Sequence, residues 1–505
     1  MKTFVVVLSV ALVLFADAQV RTEYTVDASQ PASRRFRIEM RVYGAEGEST
    51  TLSIPAWCPG WYIIQRYEQG LSNFSANDAN GEALSVTQSG LRSWRVANKS
   101  ETFTLTYDVA ARELGYGFFK CYLGPASGFI NGPSAFLYVD GGLNAPSEVK
   151  LRLPQDWASV SGMAPGETPN SYRAVNYDEL VDCPIEIGLF RLESFIIDGV
   201  RFEMCVTGSL TPEQRAEWRR ELEFVSKTAM QIMGGAPFRR YLYIIHAIGP
   251  ADFANFYGGL EHMNSTVLNF SVGHSIAGLA AHELFHAWNV KRIRPKVLGP
   301  FDYSKEVRTE NLWFAEGVTE YYARLILSRS GLETEEQFLS GLAADIAELQ
   351  NNRARSRVTL ADSSLKVWET GDSSGFGGLN YYNKGMIVGF LMDVKLRTLS
   401  DNKKSLDDVM KLLMQRHNPP KPGYDEDGIL KAYSEIAGQD MASFYNKLIR
   451  STDELPYDEV LKPFGLELVR SGRAYQLKRM ADLNERQSLH IVDWAKNANA
   501  RPDDR

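Results

Sequence analysis

One segment of this sequence carries residue types and spacings suited to metal chemistry, namely HELFH at residues 282–286. In an α-helix, residues four positions apart project from the same face, so the imidazoles of His282 and His286 can reach one metal ion. Glu283 is turned about 100° around the helix axis from His282, which suits a general base acting on a water molecule at the metal. The segment predicts a hydrolytic zinc site with one Zn²⁺ per chain and Glu283 as its catalytic base.

The third predicted ligand lies on a second helix. Thirty positions after His286, the segment WFAEG places a carboxylate at Glu316. Two nitrogen ligands and one oxygen ligand leave a fourth position for water, which is typical of catalytic rather than structural zinc. The alternative is a chance pair of histidines on an amphipathic helix, but the chain holds only seven histidines, so a chance match is rare.

Glu320 lies one helical turn beyond Glu316, on the same face. We expect it to accept a hydrogen bond from the outer ring nitrogen of a ligand histidine, most simply His282, which would fix the tautomer of that ring. A solvated carboxylate on the helix surface is the alternative for Glu320. The remaining histidines have no motif around them and are interpreted as structural: His246, His274, His417 and His490.

The elements that must position these side chains are predicted from a helical period of apolar residues in the second half of the chain. The predicted helices span 213–233, 275–293, 311–330, 334–350, 383–399 and 406–416. Between the first two helices, the segments 240–248 and 259–270 have the pattern of strands. A small sheet packed against a helical body is therefore expected.

The first part of the chain instead alternates apolar and polar residues in short segments, such as FRIEMRV at 36–42, TFTLTYDV at 102–109 and VKLRL at 149–153. This pattern favours antiparallel β-structure. The predicted fold class is α+β, with an N-terminal antiparallel β-sandwich domain at 19–202 and a mainly helical domain with a small β-sheet at 203–467. The charged, weakly patterned residues 468–505 are predicted to be a tail or stub.

Composition excludes some classes of partner. The chain is 44% apolar and carries a net charge of −7 without basic blocks, which argues against nucleic acid. Residues 1–18 have the pattern of a signal peptide, so we expect a periplasmic or secreted protein after cleavage near Ala18. Their apolar run is shorter than the roughly 20 residues of a membrane span, and no stable span is expected. The sequence does not indicate an oligomeric state.

Four cysteines are compatible with an exported protein. Cys58, Cys121, Cys183 and Cys205 can be paired in three ways if all of them form disulfides. Their wide spacing argues against a cysteine zinc site or a redox motif, and free buried thiols are the alternative to bridges.

The segment HELFHAWNVKRIRP at 282–295 resembles the signature of the glycyl aminopeptidase family, a branch of the gluzincin metallopeptidases. Three more segments fit the same family: PAWCPGWY at 55–62, LVDCPIEIG at 180–188 and GGLEHMNS at 258–265. The resemblance implies a β-rich N-terminal domain, a thermolysin-like catalytic domain and, in typical members, a C-terminal PDZ domain. Residues 468–505 are too few for a full PDZ domain, so we expect a tail or stub there.

The resemblance also implies substrate-binding residues. The segment from Gly258 to His262 is similar to the G-x-M-E-N element of zinc aminopeptidases, in which the glutamate, here Glu261, binds the free amino group of the substrate. Gly258 and Gly259 would let the peptide backbone approach closely. His262 would either bind substrate backbone or be structural.

A tyrosine two residues before Lys-Gly in related aminopeptidases corresponds to Tyr382. Its hydroxyl would donate a hydrogen bond to the oxyanion that forms during hydrolysis. Ordinary half-buried packing is the alternative for Tyr382, and its neighbour Tyr381 is a weaker candidate.

The resulting prediction is a zinc aminopeptidase that hydrolyses the first peptide bond of peptides with a free N-terminus. By resemblance alone, it would prefer glycine or alanine as the first residue. Two alternatives remain open, a thermolysin-type endopeptidase and a catalytically silent zinc- or peptide-binding protein. Glu261 argues against the first, and the complete set of base and ligands argues against the second.

Overall fold

The structure of the chain, a computed structural model, describes residues 20–112, 119–249, 257–372 and 374–495. The predicted signal peptide at 1–18 lies outside the described residues. Within the described ranges, no helix is both long enough and apolar enough to cross a membrane. A β-rich N-terminal domain is followed by a mainly helical domain with a small sheet, which confirms the predicted α+β class.

The N-terminal domain is built on an eight-stranded sheet whose strands alternate buried and exposed side chains. On the strand Arg35–Tyr43, the side chains of Phe36, Ile38, Met40 and Val42 are fully buried. This period of two is what a sheet with one covered face requires. In spatial order the strands are Ala164–Pro165, Ser171–Ala174, Ser147–Arg152, Arg21–Asp27, Arg35–Tyr43, Thr102–Ala110, Leu71–Asp78 and Ala83–Leu84.

Two four-stranded sheets complete this domain and share its apolar core. One has the order Ala158–Ser161, Ile185–Gly188, Ser127–Ile130 and Tyr122–Leu123, and the other Tyr138–Val139, Ser49–Ser53, Ser93–Ala97 and Val86–Gly90. Short helical segments connect the strands at Pro31–Ser33, Tyr67–Gly70, Gly132–Ala135 and Tyr177–Asp182.

The helical domain begins earlier than the sequence indicated. Its five-stranded sheet has the order Arg191–Ile197, Val200–Thr207, Arg240–Ile248, Ser265–Ser271 and Gly258–Glu261. The first two strands belong to this sheet, so the domain boundary lies near residue 190 rather than after residue 202. Alternation along a strand shows that one face is buried, but it does not show which sheet the strand joins. The segment predicted as one strand at 259–270 is two antiparallel strands.

Four of the six predicted helices are confirmed to within two residues at each end, namely those at 213–233, 334–350, 383–399 and 406–416. Glu335–Asn351 begins there because the Thr334 hydroxyl accepts a hydrogen bond from the backbone N–H of Gln337, while the Gln337 side chain accepts one from the backbone of Thr334. This reciprocal pair satisfies two backbone donors at the start of the helix. The α-helices of the domain are Pro212–Met233, Ala277–Phe285, Thr319–Ser330, Glu335–Asn351, Leu360–Leu365, Tyr381–Leu399, Leu406–His417, Gly428–Ala437, Ala442–Ile449, Tyr457–Phe464 and Glu485–Ala495.

Shorter elements connect these helices. They are the 3₁₀ turns Lys296–Leu298, Arg353–Ser356 and Val367–Glu369, and the two-stranded hairpin of Gly375–Phe376 and Leu379–Asn380.

The two segments that carry the predicted ligands are less regular than expected. The α-helix Ala277–Phe285 ends early, and beyond it the backbone N–H groups of Lys291 and Ile293 bond to carbonyl oxygens five residues back, at 3.0 and 2.7 Å. The second segment starts with one π-helical turn, Trp313–Val318, and continues as the α-helix Thr319–Ser330. Such wide turns occur frequently at functional sites.

The C-terminal segment, predicted to be a tail or stub, contains regular secondary structure. The strands Leu466–Ser471 and Ala474–Arg479 form a hairpin, and the helix Glu485–Ala495 packs on the helical body. Trp494 is fully buried, and its indole N–H donates to the Tyr321 hydroxyl at 2.9 Å. Charged and apolar residues are mixed in this stretch, so the apolar residues that anchor it gave only a weak periodic signal. Residues 496–505 lie outside the described ranges.

All four cysteines are buried thiols outside any disulfide. Burial raises the pKa of the Cys58 thiol to about 12 and raises the pKa values of Cys183 and Cys205 well above the ordinary range. The sequence left open whether these cysteines form disulfides or remain thiols, and in the structure they are thiols.

Candidate metal centre

The two ligand-bearing segments are joined by one buried side chain. The Asn289 amide donates to the carbonyl oxygen of Phe314 at 2.7 Å, and the Thr319 hydroxyl donates to the carbonyl oxygen of Asn289 at 3.1 Å. Asn289 therefore connects the irregular turn after HELFH to the π-helical turn that carries Glu316. The same carbonyl oxygen of Asn289 lies 2.7 Å from Nδ1 of His286.

His282, His286 and Glu316 converge as the sequence predicted. The Nε2 atoms of the two histidines are 3.0 Å apart, and Oε2 of Glu316 lies 3.7 Å from Nε2 of His282 and 3.2 Å from Nε2 of His286. Ligands about 2.0–2.1 Å from a tetrahedral zinc ion are roughly 3.3 Å from one another. The three distances bracket this value, so the donor set fits a zinc ion with one further position.

The outer nitrogens of both rings are engaged elsewhere. Nδ1 of His282 lies 2.8 Å from Oε2 of Glu320, and Nδ1 of His286 faces the carbonyl oxygen of Asn289. An N–H directed at each of these acceptors leaves Nε2 as the lone-pair atom that faces the centre. Glu320 thus lies where the sequence placed it. Burial alone would raise the pKa of Glu316, but the two histidines lower it to about 2.

Glu283 lies beside this cluster as a buried carboxylate. It is 5% exposed, its Oε2 atom has no hydrogen-bond partner, and burial raises its pKa to about 7. Glu283, His286 and Glu261 each place one ligand atom within 4.8 Å of the others. A side chain at position 259 would collide with the Glu283 carboxylate, so Gly259 is required by this close approach.

Glu261, at the end of the strand Gly258–Glu261, is the second buried carboxylate beside the cluster. It is 4% exposed, and its Oε1 atom has no hydrogen-bond partner. Gly60 of the N-terminal domain lies directly against it, because a Cβ atom at position 60 would be 2.6 Å from Oε2 of Glu261. A buried carboxylate oxygen that accepts no hydrogen bond is suited to receive a donor from a ligand.

Tyr382 lies in the first turn of Tyr381–Leu399, where the Asn380 side chain accepts hydrogen bonds from the backbone. Its half-buried ring stacks over the His282 ring at a centroid distance of 6.0 Å. Burial, and then Glu316, raise the pKa of Tyr382 well above its usual range, so its hydroxyl remains a donor at neutral pH. Tyr381 is fully buried behind it.

These groups line one cavity of about 410 Å³ between the two domains. Several lining residues were not singled out from the sequence, among them Gly60, Trp61, Tyr257 and Arg324. Gly60 and Trp61 lie in the PAWCPGWY segment, whose resemblance to the family was the only sequence feature that could have indicated their place at the site. The other lining residues are Gly259, Glu261, Gly278, Leu279, His282, Glu283, His286, Glu316, Glu320, Ala323, Leu327 and Tyr382.

Gly258 and His262 are not among the described residues that line the cavity. His262 is 2% exposed, with Nδ1 at 3.6 Å from Oδ1 of Asp182, which favours the structural interpretation of this ring. The four histidines interpreted as structural are also not among the lining residues. His246, for example, is fully buried between Asn269 and Glu186.

Two family models match the chain. The Peptidase M61 N-terminal domain matches residues 23–189, and the M61 glycyl aminopeptidase model matches residues 275–388. The first match ends where the eight- and four-stranded sheets end, and the second contains the three predicted ligands and Tyr382. No curated protein matches in a direct sequence comparison.

Solved structures share the fold. An aminopeptidase N family protein from Idiomarina loihiensis is 27% identical, with a TM-score of 0.82 over 89% of this chain and 79% of that one. An M1 zinc metallopeptidase from Deinococcus radiodurans, bound to a Tyr-Ser-Ala substrate, is 14% identical, with a TM-score of 0.55 over 87% and 95%. Yeast LTA4 hydrolase in complex with bestatin is 16% identical, with a TM-score of 0.54 over 90% and 71%.

Proposed function

Since this chain belongs to the M61 glycyl aminopeptidase family and is therefore a peptidase, we propose that it is a zinc aminopeptidase acting on peptides with a free N-terminus. The observation that carries the proposal is Glu261, a buried carboxylate beside the predicted ligands with one oxygen that accepts no hydrogen bond. A carboxylate in this position gives a charge-assisted hydrogen bond to an α-ammonium group.

His282, His286 and Glu316 would hold one Zn²⁺ ion. When bound there, the ion would lower the pKa of a water molecule toward about 7 and polarise the scissile carbonyl group. Glu320 and the carbonyl oxygen of Asn289 orient the two imidazoles for this role, since each accepts from the outer nitrogen of one ring.

The catalytic steps fall to the side chains around the cavity. Glu283 accepts a proton from the attacking water and returns it to the leaving nitrogen. Its raised pKa of about 7 suits a group that must both take and give a proton near neutral pH. Tyr382 donates to the carbonyl oxygen as negative charge develops on it. Glu261 holds the α-ammonium group, which fixes the first peptide bond over the metal site.

The contact between domains favours an exopeptidase over a thermolysin-type endopeptidase. An endopeptidase needs room for substrate residues on both sides of the bond that it cuts. Gly60 of the N-terminal domain lies against the Glu261 carboxylate, and Trp61 lines the same cavity. Together they restrict the groove beyond Glu261. A catalytically silent protein is disfavoured because the base, the ligands and the oxyanion donor all meet in one cavity.

Changes at the amino end of the substrate test the proposal. Alanine 4-nitroanilide should be cleaved, and its N-acetyl derivative should be cleaved far more slowly, because acetylation removes the charge that Glu261 binds. A hydrogen bond to a charged group contributes about 1.5–3 kcal/mol, so Glu261→Gln should lower kcat/KM for the free amine roughly 10- to 100-fold.

The same substitution should affect the acetylated substrate much less, so the two changes should be non-additive. Glu223→Gln, on an exposed helix surface, is the matched control and should behave like the unaltered protein. Equal cleavage of free and acetylated substrates would favour the endopeptidase instead.

Tyr382→Phe should lower kcat by roughly 10²- to 10³-fold with a smaller change in KM, as is found for single oxyanion donors. Tyr381→Phe removes a hydroxyl from the neighbouring buried ring and should change kcat little. Steady-state kinetics on the two variants check the assignment. Equal losses in both would remove Tyr382 from the oxyanion role.

Export and preference for a small first residue remain part of the proposal. Export is supported by the pattern of residues 1–18. A small first residue is supported by the resemblance and by the aromatic rings of Trp61, Tyr257 and Tyr382 around the cavity. Hydrolysis rates for a panel of amino-acid anilides, from glycine to phenylalanine, test the preference.

A further inference from the structure

A buried ion pair that the proposed mechanism does not use lies next to Glu261. The Lys291 ammonium is 2.8 Å from Oδ1 of Asp182 and 3.8 Å from Oε1 of Glu261. Only 5% of the Lys291 side chain and 6% of the Glu261 side chain are exposed. Lys291 therefore faces two carboxylates, but it donates a hydrogen bond to Asp182 and none to Oε1 of Glu261.

Asp182 is held firmly in this position. It is the last residue of the short helix Tyr177–Asp182 of the N-terminal domain. Its Oδ2 atom accepts a hydrogen bond of 2.6 Å from the backbone N–H of Met263, two residues after Glu261. The carboxylate thus connects the N-terminal domain to the segment that carries Glu261 and, through its other oxygen, orients Lys291.

The neighbours of Glu261, Asp182 and Lys291, carry opposite charges. Burial alone would raise the pKa of Asp182, but Lys291 holds it well below its usual value. Burial likewise opposes the charge of Lys291, but Asp182, and after it Glu261, raise the pKa of this ammonium. Both members of the pair are therefore ionised at neutral pH, and their charges cancel. Glu261 lies beside this neutralised pair and is not part of it.

We propose that Asp182 and Lys291 are positioning residues for the amino end of the substrate. Asp182 holds the Lys291 ammonium away from Glu261, so that the Glu261 carboxylate stays free to bind the α-ammonium group of a peptide. The inference rests on the proposed aminopeptidase function. It also gives the N-terminal domain a direct part in substrate binding, because Asp182 comes from that domain.

Asp182→Asn is the informative change because it keeps the size of the side chain and removes its charge. The Lys291 ammonium then lacks an ionic partner in a buried site, where unpaired charge is strongly unfavourable. Glu261 is the carboxylate 3.8 Å away that can replace the lost partner. Lys291 would then compete with the substrate for Glu261, and free-amine ligands would bind more weakly.

Two small probes isolate this effect. Alanine hydroxamate and propionohydroxamate both bind a metal through the hydroxamate group and differ only in the α-amino group. We define the ratio as the Kd of propionohydroxamate divided by the Kd of alanine hydroxamate, both measured by calorimetry on the zinc-loaded protein. This ratio reports the contribution of the amine to binding. In Asp182→Asn we expect this ratio to fall about tenfold, which corresponds to ~1.4 kcal/mol.

Removing both charges should restore the ratio. In the double variant Asp182→Asn/Lys291→Met, no competing ammonium remains, and the ratio should lie within about threefold of the unaltered value. If Asp182 and Lys291 had a purely structural role, the double variant would instead show a larger fall in the ratio than Asp182→Asn alone. Asp178→Asn is the matched control, because Asp178 lies on the same helix but accepts its hydrogen bond from Tyr303 at 2.6 Å. Its ratio should not change.

An unchanged ratio in Asp182→Asn would overturn the inference, and so would an equal fall in the double variant or in Asp178→Asn. If circular dichroism shows that Asp182→Asn does not fold, the double variant decides: an unaltered ratio supports the inference and a tenfold fall overturns it. A ratio near one in the unaltered protein would contradict the proposed function itself, which keeps the two failures distinguishable.

Discussion

Removal of the metal is expected to abolish peptide hydrolysis, and added Zn²⁺ is expected to restore it. The physical reason is that a bound metal ion would supply the positive charge that activates water and stabilises the oxyanion. His286→Ala should lose bound zinc, because it removes one of three convergent ligands at a site where the remaining two donors are 3.7 Å apart. Zinc content by atomic absorption and turnover of alanine 4-nitroanilide measure the two effects.

Two further results would sharpen this expectation. Zinc that binds only the folded protein should raise the unfolding temperature of the unaltered chain, and this shift should vanish in His286→Ala. His274→Ala removes an exposed imidazole that is not among the cavity-lining residues and should keep zinc and activity. Full activity of a metal-free preparation would refute the assignment of a metallopeptidase mechanism to this cavity.

Glu283→Gln is expected to keep the zinc and lose the chemistry. The amide has nearly the same shape, but it cannot accept a proton from the attacking water. General base catalysis contributes about 10²- to 10⁴-fold, and kcat should fall by that order while KM changes little. Stopped assays with alanine 4-nitroanilide at saturating zinc measure the loss.

Glu320→Gln provides the contrasting case. Glu320 contacts His282 and takes no part in proton transfer in the proposed mechanism. Loss of such an outer partner typically weakens metal affinity by about 10- to 100-fold, and saturating zinc should then recover most of the turnover. If Glu283→Gln were also rescued by zinc, Glu283 would be a metal-positioning residue and not the base.

Part of the candidate site could be predicted because it depends on local geometry. His282 and His286 are four residues apart, and helical periodicity alone places such residues on one face. The same reasoning relates Glu316 to Glu320, although the first of them lies in a π-helical turn that the sequence did not indicate. The starts of the long helices were predictable for the same reason, since capping residues such as Thr334 act within three positions.

Other features depend on contacts between residues far apart in the chain. The strand Arg191–Ile197 alternates in the same way whichever sheet it joins, so its place in the second domain followed only from pairing with Val200–Thr207. The helix Glu485–Ala495 was predicted to be part of a tail or stub. Its anchoring residue, Trp494, is buried by contacts with distant residues such as Tyr321, and such contacts leave no local pattern in the sequence.

The sequence by itself determined the class of chemistry, through HELFH and Glu316, because ligand types and helical spacing are properties of short segments. Only the tertiary structure decided which groups surround Glu261, the residue proposed to bind the amino end of a substrate. Gly60 approaches Glu261, and Asp182 orients Lys291, across more than a hundred residues of chain. Burial, charge balance and close approach arise from packing the two domains together, and no local pattern encodes them.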